Sequence, residues 1–179
     1  MERMLTTPDR KPIVALSGRS NSGKSSLINR LSGQKVARVS QTPGCTRQVN
    51  FYPAKEGWVW ADLPGYGYAR IGQKARLAWQ EEIQLFIQKM RPLTCVIIDG
   101  RIPPQKLDQI WINWLAQEAI PFVILANKVD RLSQKDLMRQ KKLLPGAFPV
   151  PLYWGWISAR TGEGIPAFVE WLGGYLDSF

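Results

Sequence analysis

Nine consecutive residues, 18–26, have the types and spacing of a loop that binds phosphate groups. They read Gly-Arg-Ser-Asn-Ser-Gly-Lys-Ser-Ser and match the pattern G-x-x-x-x-G-K-[ST]. Glycines let the backbone bend closely around phosphate oxygens, so that several N–H groups point inward. Lys24 can then reach the β- and γ-phosphates, and the Ser25 hydroxyl can ligate magnesium. A strand-like run precedes the motif and a helical segment follows it, which favours a nucleotide site over a chance glycine turn.

We call residues 18–26 the glycine loop. Its predicted nucleotide contacts are Gly18, Arg19, Ser20, Asn21, Ser22, Gly23, Lys24, Ser25 and Ser26.

A second motif, the NKVD loop (Asn127, Lys128, Val129 and Asp130), is suited to recognise a purine base. It follows an apolar run, and ligands of open α/β sheets bind at the carboxyl ends of strands. The Asp130 carboxylate can accept hydrogen bonds from guanine N1–H and the guanine amino group, whereas adenine lacks this donor pair. Unpaired buried acceptors would penalise adenine, so we predict GTP and GDP as ligands. Asn127 would brace the loop, and the Lys128 stem would lie over the purine face.

Two further segments offer groups for magnesium and the γ-phosphate. Asp62 begins the DLPG loop, residues 62–65, and its carboxylate is predicted to hold magnesium through water. Gly65 leaves its backbone N–H free to approach the γ-phosphate. Thr46 is the candidate second hydroxyl ligand of magnesium, although a Pro-Gly turn also explains the residues before it. The predicted contacts of these segments are Gly44, Cys45, Thr46, Asp62, Leu63, Pro64 and Gly65, and the predicted catalytic residues are Lys24, Thr46 and Gly65.

The last candidate segment, Ile157-Ser158-Ala159, ends a strand-like run near the C-terminus. A backbone N–H of Ser158-Ala159 could donate to the guanine carbonyl. Alone, the dipeptide Ser158-Ala159 does not indicate a nucleotide site. It is a candidate because it follows the other motifs in sequence. The chain contains no histidine, which excludes a serine-histidine hydrolase and a histidine metal site.

Alternating strands and helices must position these motifs. Strand-like runs lie near residues 12–17, 48–52, 58–61, 94–99, 122–126 and 152–157. Apolar residues recur at helical spacing at Leu107, Ile110, Trp111, Trp114 and Leu115, and again at Ile165, Phe168, Val169 and Leu172. This alternation predicts an α/β fold of three layers, α/β/α, with a mostly parallel six-stranded sheet and with Trp111 and Trp114 in the core.

The net positive charge is concentrated in the first half of the chain. Residues 1–80 contain 13 Lys and Arg against 4 Asp and Glu, a net charge of +9, whereas residues 81–179 contain 11 against 10, a net charge of +1. Such a basic surface favours an RNA backbone as partner, with nonspecific solubility as the alternative. The residues clustered in sequence around Thr46 and the DLPG loop are Lys35, Arg38, Arg47, Arg70, Lys74 and Arg76.

Length and composition indicate one domain, residues 1–179, with 45% hydrophobic residues to form its core. No run of the sequence has the character of a secretory signal or a membrane span, so we expect a cytoplasmic protein without a membrane partner. A monomer is the expected oligomeric state. The two cysteines, Cys45 and Cys95, form no C-x-x-C and do not suggest a disulfide or a zinc site.

The motifs closely resemble those of the EngB/YihA family of bacterial GTPases. The resemblance lies in G-R-S-N-S-G-K-S-S-L-I-N, T-P-G-C-T-R-Q-V-N-F and D-L-P-G-Y-G-Y-A, with further likeness at residues 99–103 and 107–109. It implies a P-loop NTPase G domain and a cytosolic GTPase that assists assembly of the large ribosomal subunit. It also implies a link to cell division and septation.

Two features match related G domains instead. Asn127, where the family more often has Thr, and Ser158-Ala159, where it has Ser-Ser, resemble Era, EngA and MnmE. The alternatives are therefore the G domain of an MnmE-like tRNA-modification system or of an Era/EngA-like system, either of which should need a further domain. Another alternative is a nucleotide-gated RNA tether in which hydrolysis is incidental.

The expected reaction is in-line attack of water on the γ-phosphate, assisted by Lys24, magnesium and backbone donors. Tyr66 stands where Ras-like enzymes have a water-orienting glutamine, so the intrinsic turnover is expected to be slow. Asn21 stands where the Era, EngA and MnmE group has an asparagine that coordinates potassium. A potassium ion near Asn21 and a loop-bracing role for its side chain are both open.

Overall fold

The structure is a computed structural model that describes residues 11–33, 49–55, 57–66 and 73–178, with only the backbone described between 73 and 79. The predicted contacts Gly44, Cys45 and Thr46 lie outside these ranges. Of the basic cluster, Lys35, Arg38, Arg47 and Arg70 also lie outside them, and Lys74 and Arg76 fall where only the backbone is described.

A six-stranded sheet of order β2-β3-β1-β4-β5-β6 forms the centre of the fold. Its strands are β1 (Ile13–Gly18), β2 (Asn50–Pro53), β3 (Val59–Asp62), β4 (Leu93–Asp99), β5 (Phe122–Asn127) and β6 (Trp154–Trp156). All neighbouring pairs are parallel except β2 with β3. The runs of β1, β4 and β5 are buried along their whole length, as expected of parallel strands covered on both faces. The prediction of a mostly parallel six-stranded sheet is confirmed.

The described part of the chain contains five helices. They are α1 (Lys24–Ser32), α2 (Gln73–Met90), α3 (Lys106–Gln117), α4 (Gln134–Leu143) and α5 (Ile165–Leu176), with short 3₁₀ turns at Val129–Arg131 and Pro145–Ala147. One apolar cluster joins α1 and α5 to the sheet, and a second joins α2 and α3 to it. The side chains of β1 alternate between these clusters, because successive residues of a strand point to opposite faces. This confirms the three-layer α/β/α arrangement.

The predicted apolar stripe of α3 is wrong in part. Trp111 and Leu115 are buried as expected, but Leu107 is 45% exposed and Ile110 is 50% exposed. The buried face also includes Asp108 and Ile112, so the helix is turned by about one residue position relative to the predicted stripe. The stripe of α5 is confirmed in Ile165, Phe168 and Leu172, which are buried.

The last strand, Trp154–Trp156, is shorter than residues 152–157, although the N–H groups of Leu152 and Ile157 also donate to carbonyl oxygens of β5. Among the described residues, none of the helices is both long enough and apolar enough to cross a membrane.

Candidate nucleotide-binding site

The glycine loop connects β1 to α1 and is closely surrounded by other backbone. A Cβ on Gly18 would lie 2.6 Å from the Ile97 carbonyl oxygen, and one on Gly23 would lie 2.2 Å from Asn127 Nδ2. Gly23 also has φ +96° at the N-terminus of α1, and Asn21 has φ 67°. Larger residues at the two glycine positions would therefore collide with fixed neighbours or strain the backbone. The loop leads directly into the N-terminus of α1, whose unpaired N–H groups favour an anion.

Lys24 is the first residue of α1, and its ammonium group forms an ion pair with the Asp62 carboxylate. Both side chains are almost completely buried. Asp62 lies at the end of β3, where it is aligned with Leu16 near the end of β1. Burial raises the pKa of Asp62, and the charge and hydrogen bond of Lys24 oppose this effect. The structure thus brings together the residue predicted to reach the phosphates and the residue predicted to hold magnesium through water.

Tyr66, the residue that follows the DLPG loop, is bonded to the glycine loop through its backbone. The N–H of Ser20 donates to the Tyr66 carbonyl oxygen at 3.2 Å, and the Tyr66 N–H donates to the Gly18 carbonyl oxygen at 3.2 Å. A Cβ on Gly65 would lie 3.2 Å from that same Gly18 oxygen. Gly65 is therefore held beside the loop predicted to bind phosphate.

The Tyr66 side chain is directed to helix α3. Its hydroxyl donates to Asp108 Oδ1 at 2.9 Å, and Arg19 Nε donates to Asp108 Oδ2 at 3.2 Å. The ring of Tyr66 also contacts that of Trp111, with centroids 5.6 Å apart. Burial and the neighbouring Asp108 carboxylate raise the pKa of Tyr66 well above its usual value. The phenol thus remains protonated and bonded to α3.

Asn127 links three segments of the site. Its Nδ2 donates to the Ser22 carbonyl oxygen at 2.9 Å, and its Oδ1 accepts from the Ala159 N–H at 2.9 Å. The side chain is buried at the end of β5. Asn127 therefore connects the NKVD loop to the glycine loop and to the segment after β6 through two hydrogen bonds.

Lys128 lies across the site in a left-handed backbone conformation, with φ 72°. Its ammonium group donates to the Asn21 carbonyl oxygen and to Asp99 Oδ2, the latter at 2.9 Å. Arg101 forms two further hydrogen bonds to the Asp99 carboxylate through its guanidinium group. Burial alone would raise the pKa of Asp99, but its bonds to Arg101 and Lys128 hold that pKa at about 2. Asp99 is thus an ionised anchor for the Lys128 side chain.

Asp130 has partners on both carboxylate oxygens. The Ser158 hydroxyl donates to Oδ1 at 2.7 Å, and Arg160 Nε donates to Oδ2 at 2.8 Å. The hydrogen bond from Ser158, reinforced by Arg160, lowers the pKa of Asp130 despite the opposing effect of burial. The Ser158 N–H donates to the Glu163 carbonyl oxygen at 2.9 Å. Since Asn127 takes the Ala159 N–H, both backbone donors predicted for the guanine carbonyl have protein partners.

The oxygen donors present suit magnesium. Ser25 offers a hydroxyl at the first turn of α1 and Asp62 a carboxylate at the end of β3. Magnesium commonly takes one or two protein oxygens and completes its shell with phosphate oxygens and water. The donor set therefore fits that ion, with Thr46 outside the described residues.

Three residues of the site carry interactions that the sequence motifs did not reveal: Asp99, Asp108 and Arg160. Asp99 ends β4 beside the NKVD loop, so the rule that ligands bind at strand ends could have singled it out. Asp108 is a buried acid on an otherwise apolar helix face. Arg160 directly follows Ser158-Ala159, but only the fold shows that it reaches Asp130.

Comparison with known proteins agrees with this arrangement. A family model described as a 50S ribosome-binding GTPase matches residues 13–128. A probable GTP-binding protein EngB of Thermotoga petrophila is 40% identical over 169 residues, covering 91% of this chain and 86% of that protein.

Solved structures show the same fold. A crystal structure of a probable GTP-binding protein EngB has a TM-score of 0.77 at 26% identity, and the match covers 93% of this chain and all of that one. Era, crystallised with MgGDPNP and nucleotides 1506–1542 of 16S ribosomal RNA, has a TM-score of 0.76 at 22% identity over 92% of this chain and 56% of Era. On the match of the GTPase family model and the extent of the likeness to EngB, this chain belongs to the EngB family of GTP-binding proteins and is a GTPase.

Proposed function

We propose that this GTPase acts as a switch in the assembly of the large ribosomal subunit and is linked to cell division. The observation that carries the proposal is the match of residues 13–128 to a family described as a 50S ribosome-binding GTPase. We further propose that the protein is located in the cytoplasm, is a monomer and functions as one domain. The net charge of +9 in residues 1–80 supports ribosomal RNA as its partner, because Lys and Arg neutralise backbone phosphates.

In the proposed complex the glycine loop surrounds the phosphates and Lys24 neutralises their charge. Lys24 would exchange its ion pair with Asp62 for the β- and γ-phosphates. Ser25, Thr46 and Asp62 would hold magnesium, the last through water. Magnesium supplies positive charge that stabilises the transferred phosphoryl group. Gly65, which lies against the glycine loop, would contact the γ-phosphate through its N–H.

The base is proposed to bind between the NKVD loop and the Ile157–Ala159 segment. Asp130 would accept from guanine N1–H and the amino group, while Val129 shapes the loop as the buried start of a 3₁₀ turn. The Lys128 stem would cover one face of the purine. The Ala159 N–H would serve the guanine carbonyl by a three-centre hydrogen bond shared with Asn127 Oδ1.

Slow intrinsic hydrolysis is part of the proposal. The Tyr66 hydroxyl is bonded to Asp108, so it is not directed to a water beside the γ-phosphate. An activating group supplied by a potassium ion near Asn21 or by the ribosome would raise the rate. Loop bracing by the Asn21 side chain is the alternative to a potassium ion, and within the described ranges the Asn21 backbone carbonyl accepts from Lys128.

The test is co-sedimentation of the purified protein with separated ribosomal subunits in GDP, GTP and a nonhydrolysable GTP analogue, over a series of salt concentrations. We expect preferential binding to the large subunit in the GTP-like state. Lys24→Ala is the matched control, because it should lose nucleotide dependence without altering the basic residues of the proposed RNA surface. Equal binding to both subunits in every nucleotide state, abolished by salt, would contradict the assembly role and leave only nonspecific charge.

A further inference from the structure

The carboxylate proposed to read guanine is covered by the side chain of Arg160. Arg160 Nε donates to Asp130 Oδ2 at 2.8 Å, and the Asp130 side chain is only 7% exposed. The Arg160 side chain is 71% exposed, so it lies over the carboxylate from the solvent side. Among the described residues, the Arg160 side chain makes no other hydrogen bond or ion pair.

The guanidinium group of Arg160 and the edge of guanine present similar chemistry to a carboxylate. Guanine offers N1–H and an adjacent amino N–H in one plane, separated by a carbon atom. Arginine offers a planar group of N–H donors around one carbon, which matches carboxylate geometry in the same way. Because Arg160 donates to Asp130 Oδ2, guanine and Arg160 would compete for the lone pairs of that oxygen.

The backbone around Arg160 is fixed, which keeps its side chain near Asp130. Arg30 Nε donates to the Ala159 carbonyl oxygen at 2.7 Å, and Arg30 Nη2 donates to the Arg160 carbonyl oxygen. The Thr161 N–H donates to the Ser158 hydroxyl at 3.0 Å, and that hydroxyl in turn donates to Asp130 Oδ1. Arg160 is thus anchored on the same short turn that supplies the other partner of Asp130.

We infer that Arg160 is an internal competitor of guanine: its guanidinium group donates to Asp130 Oδ2 and must withdraw from that oxygen for the base to bind there. The inference rests on the proposed role of Asp130 in binding guanine. It predicts that removal of the Arg160 guanidinium group increases the affinity for nucleotide. If Arg160 only attracted the anionic nucleotide by its positive charge, its removal would lower that affinity.

The expected effect is modest, because the Arg160 side chain is 71% exposed and solvent weakens its ion pair with Asp130. Removing an exposed pair of this kind changes an equilibrium by at most about fivefold. We therefore expect Arg160→Gln to bind GDP about two- to fivefold more tightly than the natural chain at low ionic strength. Salt screens the Arg160–Asp130 pair, so this difference should decrease as ionic strength rises.

The measurement is titration calorimetry of nucleotide-free protein with GDP at low and high ionic strength. Arg131→Gln is the matched control, since it removes the same charge from an exposed residue adjacent to Asp130. It should bind GDP no more tightly than the natural chain, because Arg131 does not contact the Asp130 carboxylate among the described side chains.

The Asp130→Asn variant allows this inference and the proposed function to be tested separately. Asp130→Asn should prefer xanthosine diphosphate, because an amide can donate to the xanthine 2-carbonyl and accept from N1–H. The neutral amide of that variant no longer pairs strongly with Arg160, so Arg160→Gln should leave xanthosine diphosphate binding unchanged in that background. Failure of Asp130→Asn to accept xanthosine diphosphate would refute the guanine-binding role, and the inference with it.

If Asp130→Asn does switch base preference, the Arg160→Gln result decides the inference alone. Tighter GDP binding that diminishes with salt and disappears in the Asp130→Asn background supports competition. Unchanged or weaker GDP binding overturns it.

Discussion

The Nδ2 atom of Asn127 lies 2.9 Å from the carbonyl oxygen of Ser22, so the end of β5 is bonded directly to the glycine loop. The other polar atom of the same amide accepts from Ala159, at the far side of the proposed base site. One buried side chain therefore fixes the spacing between the parts proposed to hold the phosphates and the base.

Asn127→Ala should destabilise the protein even without nucleotide. The change leaves the Ser22 carbonyl and the Ala159 N–H without their partners in a buried place, which costs about 2 to 6 kcal/mol for the two groups. Urea unfolding of nucleotide-free protein measures this free energy. Asn113→Ala on the exposed face of α3 is the control and should change stability by less than about 0.5 kcal/mol. Equal stabilities of the two variants would contradict the linking role of Asn127.

Gly23→Ala should impair both folding and nucleotide binding. Its Cβ would lie 2.2 Å from Asn127 Nδ2, and its φ of +96° disfavours any side chain. We expect a loss of stability of at least about 2 kcal/mol, measured by thermal unfolding. Gly173→Ala on α5 is the matched control: its Cβ meets nothing within 4 Å, so it should stabilise the helix by about 1 kcal/mol. A tolerated Gly23→Ala would show that the loop shifts away from Asn127.

The stability of the protein should depend on pH through Asp99. Its folded-state pKa of about 2 lies below the unfolded value, so its ion pairs stabilise the fold at pH values above the unfolded pKa. This contribution, about 2 kcal/mol, is lost as the pH falls from about 4 towards 2. Urea unfolding of the natural chain and of Asp99→Asn should therefore differ at about pH 6 and converge at the acid end. Parallel pH profiles of the two proteins would contradict the assignment.

Tyr66→Phe should leave the rate of GTP hydrolysis within about twofold of the natural rate, because the hydroxyl is bonded to Asp108 instead of a reacting water. The ring can keep its contact with Trp111, while loss of the hydrogen bond lowers stability by about 1 kcal/mol. Single-turnover hydrolysis and urea unfolding measure the two effects. A chemical step slowed about tenfold in a stably folded variant would place the hydroxyl at the reacting atoms.

Much of the fold follows from local sequence. The strands β1, β4 and β5 are apolar runs, and burial on both faces requires such a composition, so their positions are predictable to within a residue or two. Helix α3 departs from its apparent stripe because Asp108 takes a place on the buried face. A buried carboxylate is tolerated there since Arg19 and Tyr66, from two distant loops, donate to it. The spacing of apolar residues in the sequence does not reveal such hydrogen-bond partners.

The site is predictable where a motif is local and unpredictable where it depends on contacts across the fold. The glycine loop and the NKVD loop are contiguous motifs, and the parallel order of the strands brings them together. Arg160 shows the opposite case. Nothing in its sequence position indicates that its guanidinium covers Asp130, because that contact depends on the turn fixed by Arg30.

The stacked indole rings of Trp111 and Trp114, whose centroids are 5.1 Å apart, have an optical consequence. Closely spaced chromophores in a skewed arrangement couple their electronic transitions and give a paired circular dichroism signal that isolated tryptophans do not produce, and the planes of these two rings are 25° apart. Tyr66 contacts one member of this pair and is bonded through its backbone to the glycine loop. A displacement of Tyr66 on nucleotide exchange would therefore alter that signal, so the protein contains its own spectroscopic probe of the segment after the DLPG loop.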